Sequence, residues 1–290
     1  MQRIDKCLSQ YFEDLSRSYI QKLIKDGLVL VNGKNIKPGT IVKEGDEIFL
    51  SVMDSLTPDI PAEDIKLDIL YEDSDVIVVN KPKGMVVHPA PGHYTGTLVN
   101  ALMYHCSDLS GINGVLRPGI VHRIDKDTTG AIIACKNDRA HEAIAKQLKA
   151  HSIDREYAAI VIGNIKEDTG TIDAPISRDK KDRKRMAVNY ENGRNAVTHF
   201  EVIQRFGDYT YIRCRLETGR THQIRVHMAH IKHPVLGDAV YSDHRSPFKL
   251  EGQTLHARTL GFDHPSTCER IITQAPLPGY FEHLLEIMGS

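Results

Sequence analysis

Near the start of the chain, apolar positions recur at helical spacing. Ile4, Cys7, Leu8 and Phe12 lie three or four apart, which predicts a short helix over DKCLSQYF (5–12) with these side chains inward. A second helix is predicted over RSYIQKLIKD (17–26), with Ser16 as its N-cap and Gly27 just past its end. Tyr19, Ile20, Leu23 and Ile24 face inward in that helix, and Arg17, Gln21 and Lys25 share its outer face. The pattern then changes. LVLV and KNI flank Asn32-Gly33, the signal of a two-residue hairpin. KPGT (37–40) and KEGD (43–46) are turns, and EIFLSV (47–52) is a strand. Residues 1–52 are thus expected to form a small α/β unit.

MDSLTPDIPAEDI (53–65) carries two prolines and no periodicity, and is expected to be a linker. From residue 66 onward short strands dominate: LDILYE, VIVVNK, GMVVH, AIIACK, REYAAIVIG, AVTHFEVIQRF, YTYIRCRLE and TLHARTLGF. Helical spacing is confined to about 97–105, 138–150, 221–230 and 280–288. Without regular βαβ alternation, this predicts an α+β domain over 66–290. It is built on one large mixed, mainly antiparallel sheet with flanking helices and loops.

Composition narrows the function. The 290 residues are 41% apolar and 26% charged, as in ordinary globular proteins. The formal net charge of −1 means that any nucleic-acid binding must come from local patches. Five cysteines, an odd number with no CxxC pair, argue against a disulfide framework and for a reducing compartment. No apolar run reaches bilayer length and no signal-peptide core is visible, so a cytoplasmic protein without a membrane partner is expected.

Four stretches carry candidate chemistry. VHRIDKDTTGAIIACK (121–136) places His122, Arg123, Asp125 and Asp127 at the mouth of a buried strand. A carboxylate there can act as nucleophile or base, although spacing alone favours an Asx-turn before a strand. LETGRTHQIRVHMAHIKH (216–233) brings Arg220, His222, Gln223 and Arg225 to a helix start, where anions are favoured. An arginine from it can pair with Asp125 and keep it ionised. His227, His230 and His233 are three apart, but no HExxH pattern or completing cysteine is present, so no metal is expected. RDKKDRKRM (178–186) is a basic loop that can contact phosphates or simply be solvated. Tyr157 in REYAAIV is a core tyrosine or a base-stacking one.

In order along the chain, these stretches resemble the RluA/RluD-type family of large-subunit ribosomal RNA pseudouridine synthases, nearest to its RluD-like branch. The carrying motifs are VVNKPKGMVVHPAPG, GIVHRIDKDTTG, REYAAIVIG, ETGRTHQIRVHMAHIKHPVLGD, LHARTLGFDHP and APLPGYF. Residues 1–52 resemble the alpha-L RNA-binding domain, through SRSYIQKLIKDGLVLVNGK. The resemblance implies that Asp125 is the catalytic aspartate and Arg225 its partner. It further implies that Tyr157 packs on the target uracil and that Arg123 enters the gap left by the flipped nucleotide. It also implies Arg220 as a second active-site contact, and His122, His222, Gln223, Arg17 and Lys25 are expected to contact RNA. The chain departs from the family in having Gly279-Tyr280 after APLP, where an acidic residue is common.

The implied reaction breaks a glycosidic bond, turns the uracil and rejoins it through carbon, which needs no redox step, group donor or cofactor. Two other readings remain at this level. One is a non-catalytic RNA-binding ribosome assembly factor, which has no use for an Asp125–Arg225 pair. The other is a nucleoside or glycoside hydrolase, which usually requires two cooperating carboxylates. A monomer acting on large-subunit rRNA is expected.

Overall fold

The computed structural model describes residues 2–12, 17–51, 60–90, 93–112, 117–182, 185–243 and 246–290, apart from the side chains of residues 18, 19 and 22. The expected N-cap Ser16, the inward side chain of Tyr19 and most of the expected linker lie outside them. The chain divides into two compact units, Met1–Asp59 and Ile60–Ser290.

The first unit contains β1 (Gln2–Arg3), α1 (Ile4–Tyr11), α2 (Arg17–Lys25), β2 (Val29–Val31), β3 (Lys34–Asn35), β4 (Ile41–Val42) and β5 (Ile48–Leu50). Its core is Ile4, Leu8, Ile20, Leu23, Ile24, Val29, Val31 and Val42. Gly27, at φ 76°, ends α2: its N–H donates to the Ile24 carbonyl and that of Leu28 to the Leu23 carbonyl. These are the two hydrogen bonds of a glycine-terminated helix. Asn32 and Gly33 both adopt positive φ, 50° and 71°, as a two-residue hairpin requires. Phe12 departs from expectation: α1 stops at Tyr11, and Phe12 is turned outward. The outer face of α2 also differs, because Arg17 and Gln21 both donate to the fully buried carboxylate of Asp5. Lys25 is exposed.

The second unit contains β6 (Ile69–Glu72), β7 (Val76–Lys81), α3 (Leu98–His105), β8 (Thr129–Cys135), α4 (Asp138–Ala150), β9 (Asp154–Ile162) and β10 (Thr169–Asp173). It continues with β11 (Ile176–Arg178), β12 (Met186–Val188), β13 (Val197–Arg205), β14 (Tyr209–Leu216), α5 (Gln223–His230), β15 (Leu255–Asp263), β16 (Arg270–Gln274) and α6 (Gly279–Gly289). Among the described residues, nine strands form one sheet in the order β10-β13-β14-β9-β15-β8-β7-β6, with β16 on β15. Only the β15–β8 pair is parallel. The sheet has helices on both faces. Ile77, Val79, Ile132, Ala134, Tyr157 and Ala159 pack with α3 and α5, while Val76, Val78, Ala131 and Ile133 pack with α4. On the outer half of β9, Ala158 and Ile160 meet Phe281 and Leu284 of α6. β8 is buried along its whole length, which explains its unbroken apolar run.

Two expectations fail here. GMVVH (84–88) is not a strand: the Val86 and Val87 carbonyls accept the N–H groups of Leu98 and Val99 at the start of α3. The run satisfies helix donors that would otherwise be orphaned. Residues 60–65 are not linker. Ile60 is buried in the sheet core, and the Asn100 side chain donates to the Pro61 carbonyl. Among the described residues no helix is long and apolar enough to cross a membrane.

Candidate active site

β8 is entered through a tight turn in which the Thr128 N–H donates to the Asp125 carbonyl at 3.1 Å. Gly130 follows, and a Cβ there would overlap the Ala257 carbonyl, so only glycine lets β8 run this close to β15. The turn is pinned from below by Lys81, the last residue of β7. Its ammonium donates to the carbonyls of Pro82, Met85 and Lys126 at 2.8, 2.8 and 2.9 Å. Burial pushes the Lys81 pKa down to about 7, against the pull of Asp127 and Asp125. Gln253 holds the Thr128 hydroxyl at 3.1 Å, and Thr129 meets His256 at 2.8 Å. The turn is therefore fixed on two sides, and it presents the Asp125 side chain at 16% exposure.

Arg225 reaches this carboxylate from α5, donating from Nη1 to Asp125 Oδ2 at 2.8 Å. The same guanidinium donates from Nε and Nη2 to the two oxygens of Asp238 at 2.6 and 2.9 Å. Asp238 is fully buried, and its Oδ1 also accepts the N–H groups of Val240 and Tyr241. Burial alone would weaken Arg225 as a cation; the bonds and charge of Asp238, then those of Asp125, outweigh it and raise its pKa above the ordinary arginine value. The Tyr241 ring lies 5.1 Å from this guanidinium, and its hydroxyl accepts the Met186 N–H and meets His222 Nδ1, each at 2.8 Å.

His222 opens α5 in the left-handed conformation, φ 58°, a strained position for a non-glycine residue. Its Nε2 stands 3.8 Å from Asp125 Oδ1, beyond hydrogen-bond reach. Burial lowers the His222 pKa, with Asp125 pulling it back, so the ring is neutral at neutral pH. Tyr157, Leu216, Ile224 and Leu255 wall a slot that opens on Asp125, with Arg123 and Arg220 also lining it. Burial raises the Tyr157 pKa, so its phenol stays neutral. Arg123 is exposed, while Arg220 donates from Nε to the Asn195 carbonyl at 2.9 Å.

The fold thus brings together Asp125, Arg225, Tyr157, Arg220, Arg123 and His222. Two of the residues expected to contact RNA make hydrogen bonds within the fold. His122 Nε2 accepts the Ile133 N–H at 3.2 Å, and burial, then Arg155, push its pKa down to about 3. It is a neutral ring serving β8. Gln223 accepts from the Thr218 hydroxyl and the Arg220 N–H, and donates to the Val197 carbonyl and the Thr198 hydroxyl. With all four positions used, it braces the loop before α5 and has nothing left for RNA. Asp127 turns from the slot and packs where a Cβ on Gly252 would meet it. Both ring nitrogens of His227 are taken, by Thr198 and the Ala174 carbonyl. The basic loop joins β11 to β12, and its residues 183 and 184 lie outside the described residues.

Residues 75–230 match the family described as RNA pseudouridylate synthase, and residues 2–48 match the S4 domain. The chain belongs to the RNA pseudouridylate synthase family. An RNA pseudouridine synthase of Bacillus subtilis, YlyB, is 55% identical over 285 residues, 98% of this chain and 93% of that protein. The ribosomal large subunit pseudouridine synthase D of Pseudomonas aeruginosa is 45% identical over 299 residues, 99% of this chain and 92% of that protein. Human RNA pseudouridylate synthase domain containing 1 shares the fold, with a TM-score of 0.59 at 24% identity over 79% of this chain and 97% of its own. The synthase is accordingly an isomerase acting on RNA.

Three residues of its site escaped the sequence reading: Asp238, Tyr241 and Lys81. Asp238 lies in PVLGD, thirteen positions after Arg225, and only the fold joins them. Lys81 did leave a signal, as a lysine closing an apolar strand that is otherwise buried.

Proposed function

We propose that the synthase isomerises uridines in structured large-subunit ribosomal RNA, with Asp125 as the group that reacts with a flipped nucleotide. One observation carries this reading. Oδ2 of Asp125 is held by Arg225, while Oδ1 has no hydrogen bond among the described residues and belongs to a side chain lining the slot. A carboxylate aimed by one oxygen and unsatisfied at the other is suited to attack or to remove a proton. In the isomerisation the C1′–N1 bond breaks and a C1′–C5 bond forms. C5 loses a proton and N1 gains one, so the change balances within the nucleotide.

The uracil must first leave its stack, at a cost of a few kcal/mol. Arg123, exposed beside the slot, can stack in the vacated gap and offset part of that cost. Tyr157 and the leucines of the slot pack the flipped base. Attack on the sugar, attack on the ring and removal of a sugar proton all use the same aimed carboxylate. Hydrolysis is disfavoured, because it draws on a second carboxylate and Asp127 packs against Gly252 instead. The ribosomal target is supported by the similarity to the ribosomal large subunit pseudouridine synthase D of Pseudomonas aeruginosa and by the S4 domain.

The test is tritium release from large-subunit rRNA transcript labelled at uracil C5. Wild type should release tritium without free uracil. Asp125→Ala should release none, yet bind the RNA within about threefold of wild type. Release of free uracil would replace the isomerase by a hydrolase. Binding without release by both proteins, on transcript and on precursor particles, would leave an RNA-binding assembly factor.

A further inference from the structure

We propose that the cleft beside Asp125 seats a backbone phosphate of the RNA on the buried guanidinium of Arg155. The proposal rests on the RNA-isomerase reading above. The cleft, of about 510 Å³, is lined by Asp125, Lys149, Arg155, Arg194 and Arg220 among others. Arg155 lies on β9, two residues before Tyr157, and is only 7% exposed. Its Nη2 donates to the Glu217 carbonyl at 3.0 Å, and its buried Nε has no partner. No carboxylate pairs with it among the described residues. The neighbouring acids are taken: Asp154 pairs with Arg270, and the Glu217 carboxylate meets His199.

A buried charge without a counter-ion costs several kcal/mol, so its retention asks for a reason. Gly219 supplies a second, independent pointer. A Cβ there would lie 2.6 Å from Arg155 Nη1, and the residue does not adopt positive φ. With glycine at 219 no side chain packs on Arg155 Nη1, where a Cβ would make the end of the guanidinium shift. Arg194 and Arg155 also stand close enough to Arg220 to add to burial in lowering its pKa. Four arginines, Arg123, Arg155, Arg194 and Arg220, line the open cleft, and with Arg155 buried and short of acceptors their guanidinium groups match the oxygens of a phosphate. A phosphate held there sits in the cleft that Asp125 and Tyr157 line, so it fixes the register of the RNA against the slot.

Fluorescence anisotropy of a labelled uridine-containing RNA stem-loop, across a potassium chloride series, reads this directly. Arg155→Met should weaken binding about tenfold and reduce the slope of log affinity against log salt by about 0.7, the loss of one phosphate contact. Its Tm should stay level or rise, because an apolar chain replaces an unpaired buried charge. Inorganic phosphate should raise the Tm of wild type and not that of Arg155→Met. Wild-type affinity and salt slope in Arg155→Met would overturn the proposal. So would a phosphate effect on Tm with an unchanged RNA slope, which assigns the site to a free anion. If Arg155→Met does not fold, Arg194→Gln on the exposed side of the cleft should still lower the slope, and an unchanged slope there counts against the proposal equally. Tritium release by wild type separates the two levels: its persistence with a failed phosphate test removes only the phosphate site.

Discussion

Asp5 in the N-terminal unit and Asp125 in the larger unit both face arginines, yet their surroundings differ. Asp5 has no exposed side-chain surface and accepts from Arg3, Arg17 and Gln21, so both of its oxygens are occupied. Asp125 keeps some exposure, and its carboxylate accepts one hydrogen bond among the described residues, from Arg225. A saturated carboxylate has nothing left to react with and contributes to stability. A carboxylate satisfied at one oxygen is oriented but still available. Asp238 combines the two conditions. It is saturated like Asp5, yet what it holds is the arginine that aims Asp125.

The contrast breaks most visibly at Asp125. Asp125→Asn should lower the rate of tritium release by on the order of a thousandfold or more. Its stability should fall by only about 1 kcal/mol, the order of one hydrogen bond, because Arg225 keeps both oxygens of Asp238 as partners. Parallel activity and thermal-melt measurements check this, and a large drop in Tm would place Asp125 in the same class as Asp5.

Next in size is Asp238→Asn, which removes one of the acceptors clamping Arg225. A misaimed guanidinium should cost kcat roughly a hundredfold while KM changes little, because the slot walls are untouched. Single-turnover rates at saturating RNA measure it. An unchanged kcat would mean that Arg225 needs no clamp.

The same contrast explains what could be read from the sequence. Asp125 was legible because charge crowded at the mouth of a buried strand is locally anomalous, and β8 was legible as an unbroken apolar run. Asp238 was not, since nothing local distinguishes it from any acidic residue in a Gly-Asp turn. The short strands β10, β11, β12 and β16 were missed, although β2 and β6, both shorter than β10, were read from LVLV and LDILYE. Pairing to a neighbour, such as β10 to β13, makes them strands. GMVVH erred the other way, with an apolar run spent on capping α3. His122 and Gln223 sit inside the two candidate motifs, but composition cannot say which members of a motif are bonded within the scaffold.

A third, smaller effect belongs to Asp5. Burial alone would raise its pKa, but the bonds from Arg3, Gln21 and Arg17 hold it well below the usual carboxylate range. A depressed folded-state pKa gives stability that is fully present above the unfolded aspartate value, about 4, and lost as pH falls below it. Asp5→Asn should therefore cost about 2 kcal/mol at neutral pH, the order of a charge-assisted hydrogen bond. The penalty should shrink as the pH falls below about 4. Hydrogen exchange of α1 and α2 amides in the full chain reads the loss locally. An equal penalty at acid and neutral pH would show that the carboxylate charge is not what stabilises the unit.

The smallest effect separates two cations of α2. Arg17 is tied to Asp5, whereas Lys25 is exposed and has no ion pair among the described residues. If the helix meets RNA, Lys25→Gln should weaken stem-loop binding only about two- to threefold, the scale of one exposed charge. It should also lower the salt slope slightly and leave amide exchange unchanged. Arg17→Gln should lower affinity and amide protection together, because one substitution removes both an outward charge and a bond to Asp5. Equal exchange behaviour in the two variants would mean that Asp5 does not depend on Arg17, and that the saturation which sets it apart from Asp125 is redundant.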